Sequence, residues 1–599
     1  MKNLGILLAA AGMIALPFVA RRLTHAPAPS VPGTGSAHLV VVSPHNEAIR
    51  QEMGRAFSRW YAEQYGSSVK VDWLVIGGTT EISRYLNSEY VSAVRAWWKR
   101  KGRPWPAGAA EAMLDPRWTP PRAPRAGVSP EETAQESELS ALIAGYRSVD
   151  DPKEFSSRID LFFGGGQYDH SRAFGQGMTV APWPPSAPPP GLLTASDGTI
   201  LIPAQVSGEI WRTDVYFGTV LSTFGICYNT DRLRDLGLDH PPRQWRDLTD
   251  PRYRGQIAVA DPTKSGSIAK TFEMLVQQQC ALAVQRAGYT EEQIEQFEAA
   301  FLAANLPRGE IPDGVPPAYQ TAVEDGWLEG IRLIRRIAAN ARYFTDSASK
   351  VPLDVAQGQA AAGLAIDFYA RYQAQSSRAP DGSERMGFTT PEGGSSVSAD
   401  PISLLRGAEN REVAVRFIEF LLGEAGQRIW TYRVGEPGGP EQFSLRRMPI
   451  RRDFYPSPHP VLQATHERHR PHTFDNLASP EMNPYALAGR FIYRERWTSG
   501  HFGVLRDLVK AMCLDSFQDL RTAWNAIQSQ GGEVLQPAAM EALERLPSDP
   551  YPVTWRAAPD VLRHAERYEV LRDWTLFFRK SYREARARLT PPPMKNKLD

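Results

Sequence analysis

The chain has 599 residues, 68 of them basic and 67 acidic, which leaves a formal net charge of +1 at pH 7. This balance gives no general electrostatic attraction to nucleic acid or to an anionic membrane surface, so no nucleic-acid partner is expected. The length suits roughly two to four domains. The apolar content of 42% supports packed cores rather than disorder, and three cysteines are too few for a disulfide framework.

The N-terminus carries the pattern of an export signal. Lys2 precedes a mostly apolar run over residues 4–20, and a linker rich in Pro and Ala follows over residues 26–36. The apolar run is longer than a usual signal core and shorter than the ~20 residues of a comfortable bilayer span. A cleaved signal peptide and an uncleaved signal anchor therefore both stay open for residues 1–36.

After the linker, strand and helix patterns alternate. An apolar run at 38–42 is typical of a buried parallel strand, a helical stripe follows over 46–65, and a second strand is predicted over 69–76. The turn Gly77-Gly78-Thr79-Thr80 then opens another helix, since threonine is a good N-cap. A third strand at 159–163 ends in three glycines. This order favours an α/β domain with a parallel-rich sheet.

An insertion over about 93–152 separates the second helix from the third strand. It contains Trp97 and Trp98 beside the basic run Lys99-Arg100-Lys101, and then a Pro-rich passage, so we expect it to be partly irregular. Aromatic residues beside basic ones fit either a nucleic-acid or lipid contact, or packing anchors with a solvated basic rim. We favour the packing anchors.

The most informative stretch covers residues 224–267. A strand pattern over 220–228 leads into a short helix, a Pro-Pro-x-x-Trp turn and a second apolar strand at 256–260. The sequence Asp261-Pro-Thr-Lys-Ser-Gly-Ser267 then opens a helix that continues over 271–287. Hydroxyls and free backbone N–H groups at the start of a helix suit a polar or anionic ligand.

Helical and strand patterns continue to alternate towards the C-terminus. The predicted elements are helices over 323–340 and 411–422, strands at 342–344 and 361–366, and two long helical patterns over 502–528 and 559–589. Beyond about residue 435 the pattern becomes less regular, with many Pro, Arg and Trp residues.

Six segments, taken in order, resemble the successive landmarks of bacterial extracellular solute-binding proteins of ABC importers, in the group that binds ferric iron and small anions. The segments are VVVSPHNEAIR, VDWLVIGGTTEISRYL, IDLFFGGG, FGICYNTDRL, YRGQIAVADPTKSGS and GLAIDFYARY. They cover roughly residues 39–432, with the insertion as a departure. The resemblance implies the type 2 periplasmic binding fold, in which two lobes joined by two crossover strands close on a solute.

The resemblance also implies a division of the chain. Lobe 1 comprises residues 37–255 with the insertion, lobe 2 comprises 256–386, and 387–435 return to lobe 1. Residues 436–599 form a mostly helical C-terminal extension, which we expect to pack on lobe 1. The predicted fold class is therefore α/β, a two-lobe type 2 periplasmic binding protein with hinge crossovers.

The ligand site is expected between the lobes, at loops that follow strands and at helix N-termini. The expected ligand-binding residues are His45, Gly78, Thr79, Thr80, Asp261, Ser265, Gly266, Ser267, Asp367 and Tyr369. Glycines permit close backbone approach and hydroxyls donate hydrogen bonds without adding charge, which fits phosphate, sulfate, a carboxylate or an organophosphate. Ordinary helix capping is the alternative for both turns, and structural roles are the alternative for His45, Asp261 and Tyr369.

Ferric iron is a second candidate solute. The resemblance places His45 where iron-binding members have a histidine, but it places Phe368-Tyr369 where they have two adjacent tyrosines. Three glycines at 164–166 stand where those members have an acidic ligand. His45 and Tyr369 would then be the metal ligands, with Asp367 as a further candidate, and a bound anion or water would complete the shell. Iron would be cargo, and no resident cofactor is expected.

The same fold also hosts enzymes, so another class of function stays open. Thiaminase-like members carry a nucleophilic cysteine in the cleft, and Cys227 lies in a crossover strand, where an inert buried thiol is the simpler interpretation. His466, His469 and His472 form a loose metal-binding pattern. A sensor without a transport role is a further alternative.

Together these features predict a monomeric, non-enzymatic binding protein in the periplasm, either free or tethered to the inner membrane. It would capture a small polar or anionic solute, or ferric iron, and deliver it to an ABC permease of the inner membrane.

Overall fold

The structure is a computed structural model that describes residues 37–116, 118–120, 129–148, 154–184 and 187–589. The predicted targeting segment, residues 1–36, lies outside the described residues. Within the described ranges, none of the helices combines the length and the apolar character that a membrane crossing requires.

The first part of the chain builds the first lobe around a mixed sheet. Its elements are β1 (Ala37–Val42), α1 (Glu47–Tyr65), β2 (Val69–Leu74), α2 (Thr79–Arg100), α3 (Ala109–Leu114), α4 (Pro130–Ser148), β3 (Leu161–Phe163), α5 (Gln167–Gly175), β4 (Thr179–Val180), β5 (Gln205–Val206), β6 (Glu209–Ile210) and β7 (Tyr216–Ser222). Asn46 caps α1, because its side chain accepts a hydrogen bond from the Ile49 N–H.

The chain then builds the second lobe. Its elements are β8 (Phe224–Asn229), α6 (Thr230–Asp235), β9 (Ile257–Ala260), α7 (Gly266–Arg286), α8 (Glu291–Ala304), α9 (Pro317–Ala339), β10 (Ala341–Thr345), α10 (Lys350–Ala356), β11 (Ala362–Ile366), α11 (Asp367–Ser376) and β12 (Met386–Thr389), with 3-10 turns at Trp245–Thr249 and Pro251–Tyr253. Helices α7 and α9 pack side by side against the sheet, since both bury apolar residues along most of their length.

The remaining chain returns to the first lobe and ends in the C-terminal extension. Its elements are β13 (Ser398–Leu405), α12 (Arg411–Leu422), α13 (Glu424–Thr431), β14 (Met448–Pro449), α14 (Pro460–His469), α15 (Pro484–Ala488), α16 (Glu495–Thr498), α17 (Phe502–Val509), a π-helix at Lys510–Leu514, α18 (Phe517–Ser529), α19 (Gly532–Leu535), α20 (Pro537–Glu544), α21 (Ala558–His564) and α22 (Arg567–Ala587), with 3-10 turns at Arg452–Phe454, Arg470–His472 and Ser499–His501.

The strand order identifies the fold. The first sheet runs β14-β7-β13-β3-β1-β2, with β4 beside β13, and the second runs β10-β9-β11-β8-β12. In each sheet three parallel strands stand beside an antiparallel one, which is β13 in the first sheet and β8 in the second. The chain passes between the sheets from β7 to β8 and again from β12 to β13. These two crossovers confirm the predicted α/β class with two lobes.

The second lobe begins earlier than the boundary predicted at residue 256. Strand β8, assigned above to lobe 1, pairs with β11 and β12 in the second sheet, so the first crossing lies at Thr223. The single strand pattern over 220–228 covers the end of β7 and most of β8. Apolar periodicity does not change where a chain leaves one sheet for another, so the sequence pattern did not mark the crossing.

The C-terminal extension packs on both lobes rather than on lobe 1 alone. Strand β14 joins the first sheet beside β7, and Phe454 and Leu487 share a core with Phe417 of the first lobe. From α16 onwards the extension joins the second lobe, where Trp497 and Trp524 are buried in the same core as α7 and α9. Each of these helices buries its apolar stripe on whichever lobe it passes.

The insertion is more helical than predicted, and its tryptophans are packing anchors as expected. Trp97 and Trp98 are only 3% and 2% exposed and belong to a third core cluster with residues of α3 and α4. The Lys101 ammonium lies 4.1 Å from the Trp97 ring centroid, and the Arg103 guanidinium lies 4.3 Å from that of Trp98. The basic residues therefore cover the outer faces of buried aromatic rings.

Candidate functional site

A cleft of about 710 Å³ lies between the two lobes. This volume is in the range of sites that enclose small molecules, which is ~300–1,000 Å³. The lining combines residues of the first lobe, the second lobe and the extension. Of the predicted site residues, those that line it are His45, Gly78, Thr79, Ser265, Gly266, Ser267 and Tyr369.

The two predicted glycine-containing turns meet across the cleft. A Cβ atom added to Gly78, at the N-cap of α2, would lie 2.6 Å from the carbonyl oxygen of Lys264. One added to Gly266 would lie 3.5 Å from the Thr79 hydroxyl. Ser265 caps α7, since its hydroxyl accepts a hydrogen bond from the Ile268 N–H. The tips of α2 and α7 are thus in contact, and the structure shows the lobes closed.

The glycines at 164–166 allow close packing within the first lobe. Gly164 and Gly165 have φ angles of +91° and +100°, in the left-handed region that favours glycine. A Cβ atom on Gly164 would lie 2.6 Å from the His45 ring, and one on Gly165 would lie 2.6 Å from Thr79 Cγ2. The residues that replace an expected acidic ligand therefore make room for the His45 ring and for the start of α2.

His45 is held by a buried polar network at the bottom of the cleft. Its Nε2 lies 3.0 Å from Asp400 Oδ2, and its Nδ1 lies 3.0 Å from the Ser43 hydroxyl. Burial lowers the pKa of His45, so the ring is neutral at pH 7, with Nε2–H donating to Asp400 and Nδ1 accepting from Ser43. Both ring nitrogens are used within the protein.

Arg447 completes this network from the extension. Its Nη1 donates to Asp400 Oδ2 at 2.8 Å, and its Nη2 donates to the Ser222 hydroxyl at 2.7 Å. Burial alone would raise the pKa of Asp400, but the Arg447 guanidinium and His45 hold it well below its usual range. A fully buried arginine and a buried aspartate are thus neutralised as a pair.

Tyr369 lines the cleft as a neutral phenol. Burial raises the pKa of Tyr369 to about 12, with the nearby Asp400 carboxylate acting in the same direction. Ferric iron binds a phenolate, so its binding at Tyr369 would have to displace the phenol proton.

Three predicted site residues lie outside the lining and serve local structure. Asp367 Oδ1 accepts from the Phe368 N–H at 2.8 Å, and Asp261 Oδ1 accepts from the Thr263 N–H at 2.8 Å. The Thr80 hydroxyl accepts a hydrogen bond from Arg506 Nη2 at 2.7 Å. Asp367 and Asp261 hold the first turns after their strands, whereas Thr80 bonds to the extension.

The cationic side chains that line the cleft are paired with carboxylates. Lys270 Nζ lies 2.9 Å from Glu209 Oε1, 3.0 Å from Glu273 Oε2 and 3.9 Å from the Tyr493 ring centroid. Lys264 Nζ lies 2.9 Å from Asp346 Oδ1. Burial opposes the charge of Lys270, but the two carboxylates outweigh it and raise its pKa. Neither lysine is left to neutralise an anion.

Three further carboxylates line the cleft and are in no ion pair within the described ranges: Glu81, Asp169 and Glu495. Glu81 and Asp169 lie in the first turns of α2 and α5, where they face the N-terminal ends of their own helices. Burial raises the pKa of Asp169 to about 6, although Arg506 and Arg172 oppose the shift. The lining thus carries an excess of negative charge.

The residues of the enzyme and metal alternatives lie elsewhere. Cys227 is fully buried within the second sheet, its Sγ donates to the Gly363 carbonyl at 3.4 Å, and burial raises its pKa to about 12. It is an inert thiol, not a cleft nucleophile. His469 Nδ1 lies 2.6 Å from the Tyr432 hydroxyl. Among the described residues, no group of three or more His, Cys, Asp or Glu side chains could hold a metal ion.

Sequence reasoning missed several of the charged residues that shape the cleft. Asp346 follows the end of β10, so the rule that ligands meet the carboxyl ends of parallel strands could have indicated it. Lys264 stands beside the predicted Ser265 turn. The sequence did not indicate Asp400 or Arg447 as site residues, because Asp400 lies inside strand β13 and Arg447 belongs to the extension.

Comparison with known proteins agrees with the predicted family. Residues 209–444 match the family model of bacterial extracellular solute-binding proteins. An uncharacterized protein of Haemophilus influenzae is 37% identical over 75 residues, which are 12% of this chain and 20% of that protein. The matching region is thus about one fifth of the relative's length. The matched family is one of solute-binding proteins, which agrees with the prediction of a binding protein over residues 209–444.

Several solved periplasmic binding proteins are similar at low identity. AfuA of Actinobacillus pleuropneumoniae, with bound fructose-6-phosphate, is 15% identical, with 78% of this chain and 97% of that chain covered and a TM-score of 0.41. The ferric binding protein of Campylobacter jejuni is 13% identical, with 76% and 95% covered and a TM-score of 0.38. PotD of Streptococcus pneumoniae, a spermidine/putrescine binding protein, is 12% identical, with 79% and 100% covered and a TM-score of 0.40. These scores lie below 0.5, so the fold is assigned on the strand order above.

Proposed function

We propose that this chain, whose residues 209–444 belong to the bacterial extracellular solute-binding family, is the exported solute-binding component of an ABC importer. It would capture one small solute between its lobes in the periplasm and present the closed form to a permease of the inner membrane. The observation that carries the proposal is the cleft of about 710 Å³ at which two lobes, linked by two crossovers, meet through the tips of α2 and α7.

The charges of the lining favour a solute with a positively charged group. Both lining lysines are already paired, whereas Glu81, Asp169 and Glu495 are in no ion pair within the described ranges. An ammonium group would gain from these carboxylates and from the neighbouring aromatic rings of Tyr493 and Phe502. The helix N-termini, taken alone, predicted an anionic solute. An anion would instead be repelled by these three carboxylates.

Ferric iron is a weaker candidate on the same grounds. His45 uses both ring nitrogens within the protein, and Phe368 stands where the iron-binding pattern has the first of two adjacent tyrosines. Hard anionic oxygen donors would have to come from Asp169 or Glu81 at other points of the lining.

A thermal-shift screen tests both the binding function and the charge of the solute. The cationic compounds in the screen are a diamine, a basic amino acid and a quaternary ammonium compound. They are compared with a dicarboxylate, inorganic phosphate, a hexose phosphate and ferric citrate. A ligand that binds the folded state at 100 times its Kd stabilises it by ~2.7 kcal/mol, which a melting curve resolves. We expect a rise in Tm with at least one of the cationic compounds.

The outcomes separate the two parts of the proposal. A rise with an anion alone would reject the cationic solute and keep the binding function. No rise with a broad panel of polar solutes would reject the binding function itself. Delivery to a permease is tested separately, by uptake of the identified solute in cells with and without the gene.

A further inference from the structure

The C-terminal extension forms part of the boundary of the cleft. We call residues 490–506 the strap. Tyr493, Glu495, Ser499 and Phe502 of the strap line the cleft, although they lie beyond the region that matches the family model. The Phe502 ring packs against the Tyr168 ring of the first lobe, with 4.9 Å between centroids. The strap therefore covers one side of the gap between the lobes.

The strap is attached to both lobes. On the first lobe, the Tyr493 N–H donates to the Ser207 carbonyl at 2.9 Å, and Gly208 has no room for a side chain beside the Tyr493 carbonyl. On the second lobe, Gln277 Nε2 of α7 donates to the Arg494 carbonyl and to the Thr498 hydroxyl, both at 2.8 Å. Within the described ranges, the chain thus crosses between the lobes a third time at Tyr493–Arg494.

Arg506, at the end of the strap, contacts both lobes with one guanidinium. Its Nε donates to the Pro262 carbonyl at 2.9 Å and its Nη2 donates to the Thr263 carbonyl at 2.9 Å, both in the second lobe. The same Nη2 donates to the Thr80 hydroxyl of α2, in the first lobe, at 2.7 Å. Arg506 lies on α17, which is packed into the core of the second lobe through Leu505 and Leu508. The bond to Thr80 is therefore a bond between lobes.

We propose that the strap is a third hinge connection and that Arg506 is a positioning residue, which stabilises the closed arrangement of the lobes through Thr80. The bond to Thr80 exists only when the tip of α2 stands against the tip of α7, so it favours the closed form over the open form. Hydrogen bonds from a charged group are stronger than neutral ones. Because only the closed form encloses a solute, loss of this bond lowers apparent affinity in proportion to the closed fraction.

The test measures the distance between the lobes in the ligand-free protein, so it does not depend on the identity of the solute. Spin labels are attached to cysteines introduced at the exposed positions Glu63 of the first lobe and Glu295 of the second. The native Cys227, Cys280 and Cys513 are buried and do not compete for the label. Double electron–electron resonance then gives the distribution of closed and open molecules.

The variants are Arg506→Gln and, from the other side of the same bond, Thr80→Val. We expect each to lower the ratio of closed to open molecules roughly tenfold, the effect of one hydrogen bond to a charged group. The double variant should add little to Arg506→Gln, since that change already removes the bond to Thr80. The matched control is Arg579→Gln on α22, whose guanidinium, among the residues that the structure describes, donates only to the Asp515 carbonyl in the same lobe.

Two results would overturn the proposal. One is an unchanged distance distribution in Arg506→Gln and in Thr80→Val. The other is an equal change in Arg579→Gln, which would mean that the label pair reports general loosening of the extension. If Arg506→Gln does not fold, Thr80→Val alone decides, because it leaves the guanidinium and its two carbonyl bonds to the second lobe in place.

Discussion

At the scale of single residues, the cleft depends on glycines whose missing side chains let the lobes touch. Gly78 has an extended backbone, with φ −73° and ψ 178°, which alanine adopts without strain. An added Cβ atom would nevertheless lie 2.6 Å from the Lys264 carbonyl oxygen of the opposite lobe. Size, rather than backbone conformation, therefore requires glycine at this position.

Replacing Gly78 by alanine should hold the lobes apart without unfolding either one. We expect Tm to change little, and affinity for the solute identified by the screen to fall at least tenfold, roughly the effect of losing one good interlobe contact. Titration calorimetry measures the affinity. Gly489→Ala is the control, because its added Cβ atom would meet only ordinary contacts, the nearest at 3.5 Å. Unchanged binding by Gly78→Ala would mean that the two tips need not touch.

The buried Arg447–Asp400 pair should matter for stability more than any surface pair. Arg447→Met leaves the Asp400 carboxylate buried beside a neutral His45, and breaking a buried pair in this way costs ~3–5 kcal/mol of the free energy of unfolding. Urea unfolding at pH 7 measures this loss in the free energy of unfolding. The exposed pair Arg286–Glu329 is the control, since removal of its arginine should cost under ~1 kcal/mol. An equal cost for the two variants would show that the network is not buried in solution.

At the scale of elements, two buried histidines make each lobe sensitive to acid. His170 of α5 stacks on Phe162, its Nδ1 lies 2.6 Å from the Ser403 hydroxyl and its Nε2 lies 3.0 Å from the Gly164 carbonyl. His501 Nε2 lies 2.7 Å from the Trp555 carbonyl in the second lobe. Burial lowers the pKa of each to about 4.

These shifts predict the direction of the pH dependence of stability. A histidine whose folded pKa lies below its unfolded value, ~6.5, stabilises the fold fully above that value and progressively less as the pH falls towards 4. Each should therefore remove ~1.4 kcal/mol of the free energy of unfolding per pH unit over most of that interval. Urea titrations at pH 7, 6 and 5 measure the slope, and His170→Gln should reduce it. A slope unaffected by His170→Gln would place the sensitivity elsewhere.

Much of the element order could be read from the sequence, and the reasons are local. Strands β9 and β11 are buried at every position, so their sequences are continuous hydrophobic stretches, and β1 buries Leu39, Val41 and Val42 of its apolar run. The Ser265 cap and the start of α7 followed from the chemistry of helix ends. The change of sheet at Thr223 and the pairing of Asp400 with Arg447 did not, because they depend on contacts between distant parts of the chain.

At the scale of the whole molecule, the charge of the cleft should couple solute binding to pH. Asp169 lines the cleft with a pKa raised by burial to about 6, so it is largely protonated at pH 5 and ionised at pH 7.5. A cationic solute should therefore bind more tightly as the pH rises through 6, and Asp169→Asn should flatten this dependence. Calorimetric titrations with the cationic solute found in the screen measure the pH dependence of affinity in the wild-type protein and in Asp169→Asn. Tighter binding at pH 5 than at pH 7.5 would contradict this assignment.

The most direct measurement is native mass spectrometry of the protein produced in its own host, beside the variant Ser267→Trp, in which the larger side chain occupies the cleft. We predict that the wild-type protein retains one small molecule with a positively charged group, and that Ser267→Trp has lost it. A bound molecule that persists in Ser267→Trp, or one that is an anion, would contradict the central claim that the cleft between the lobes holds a cationic solute.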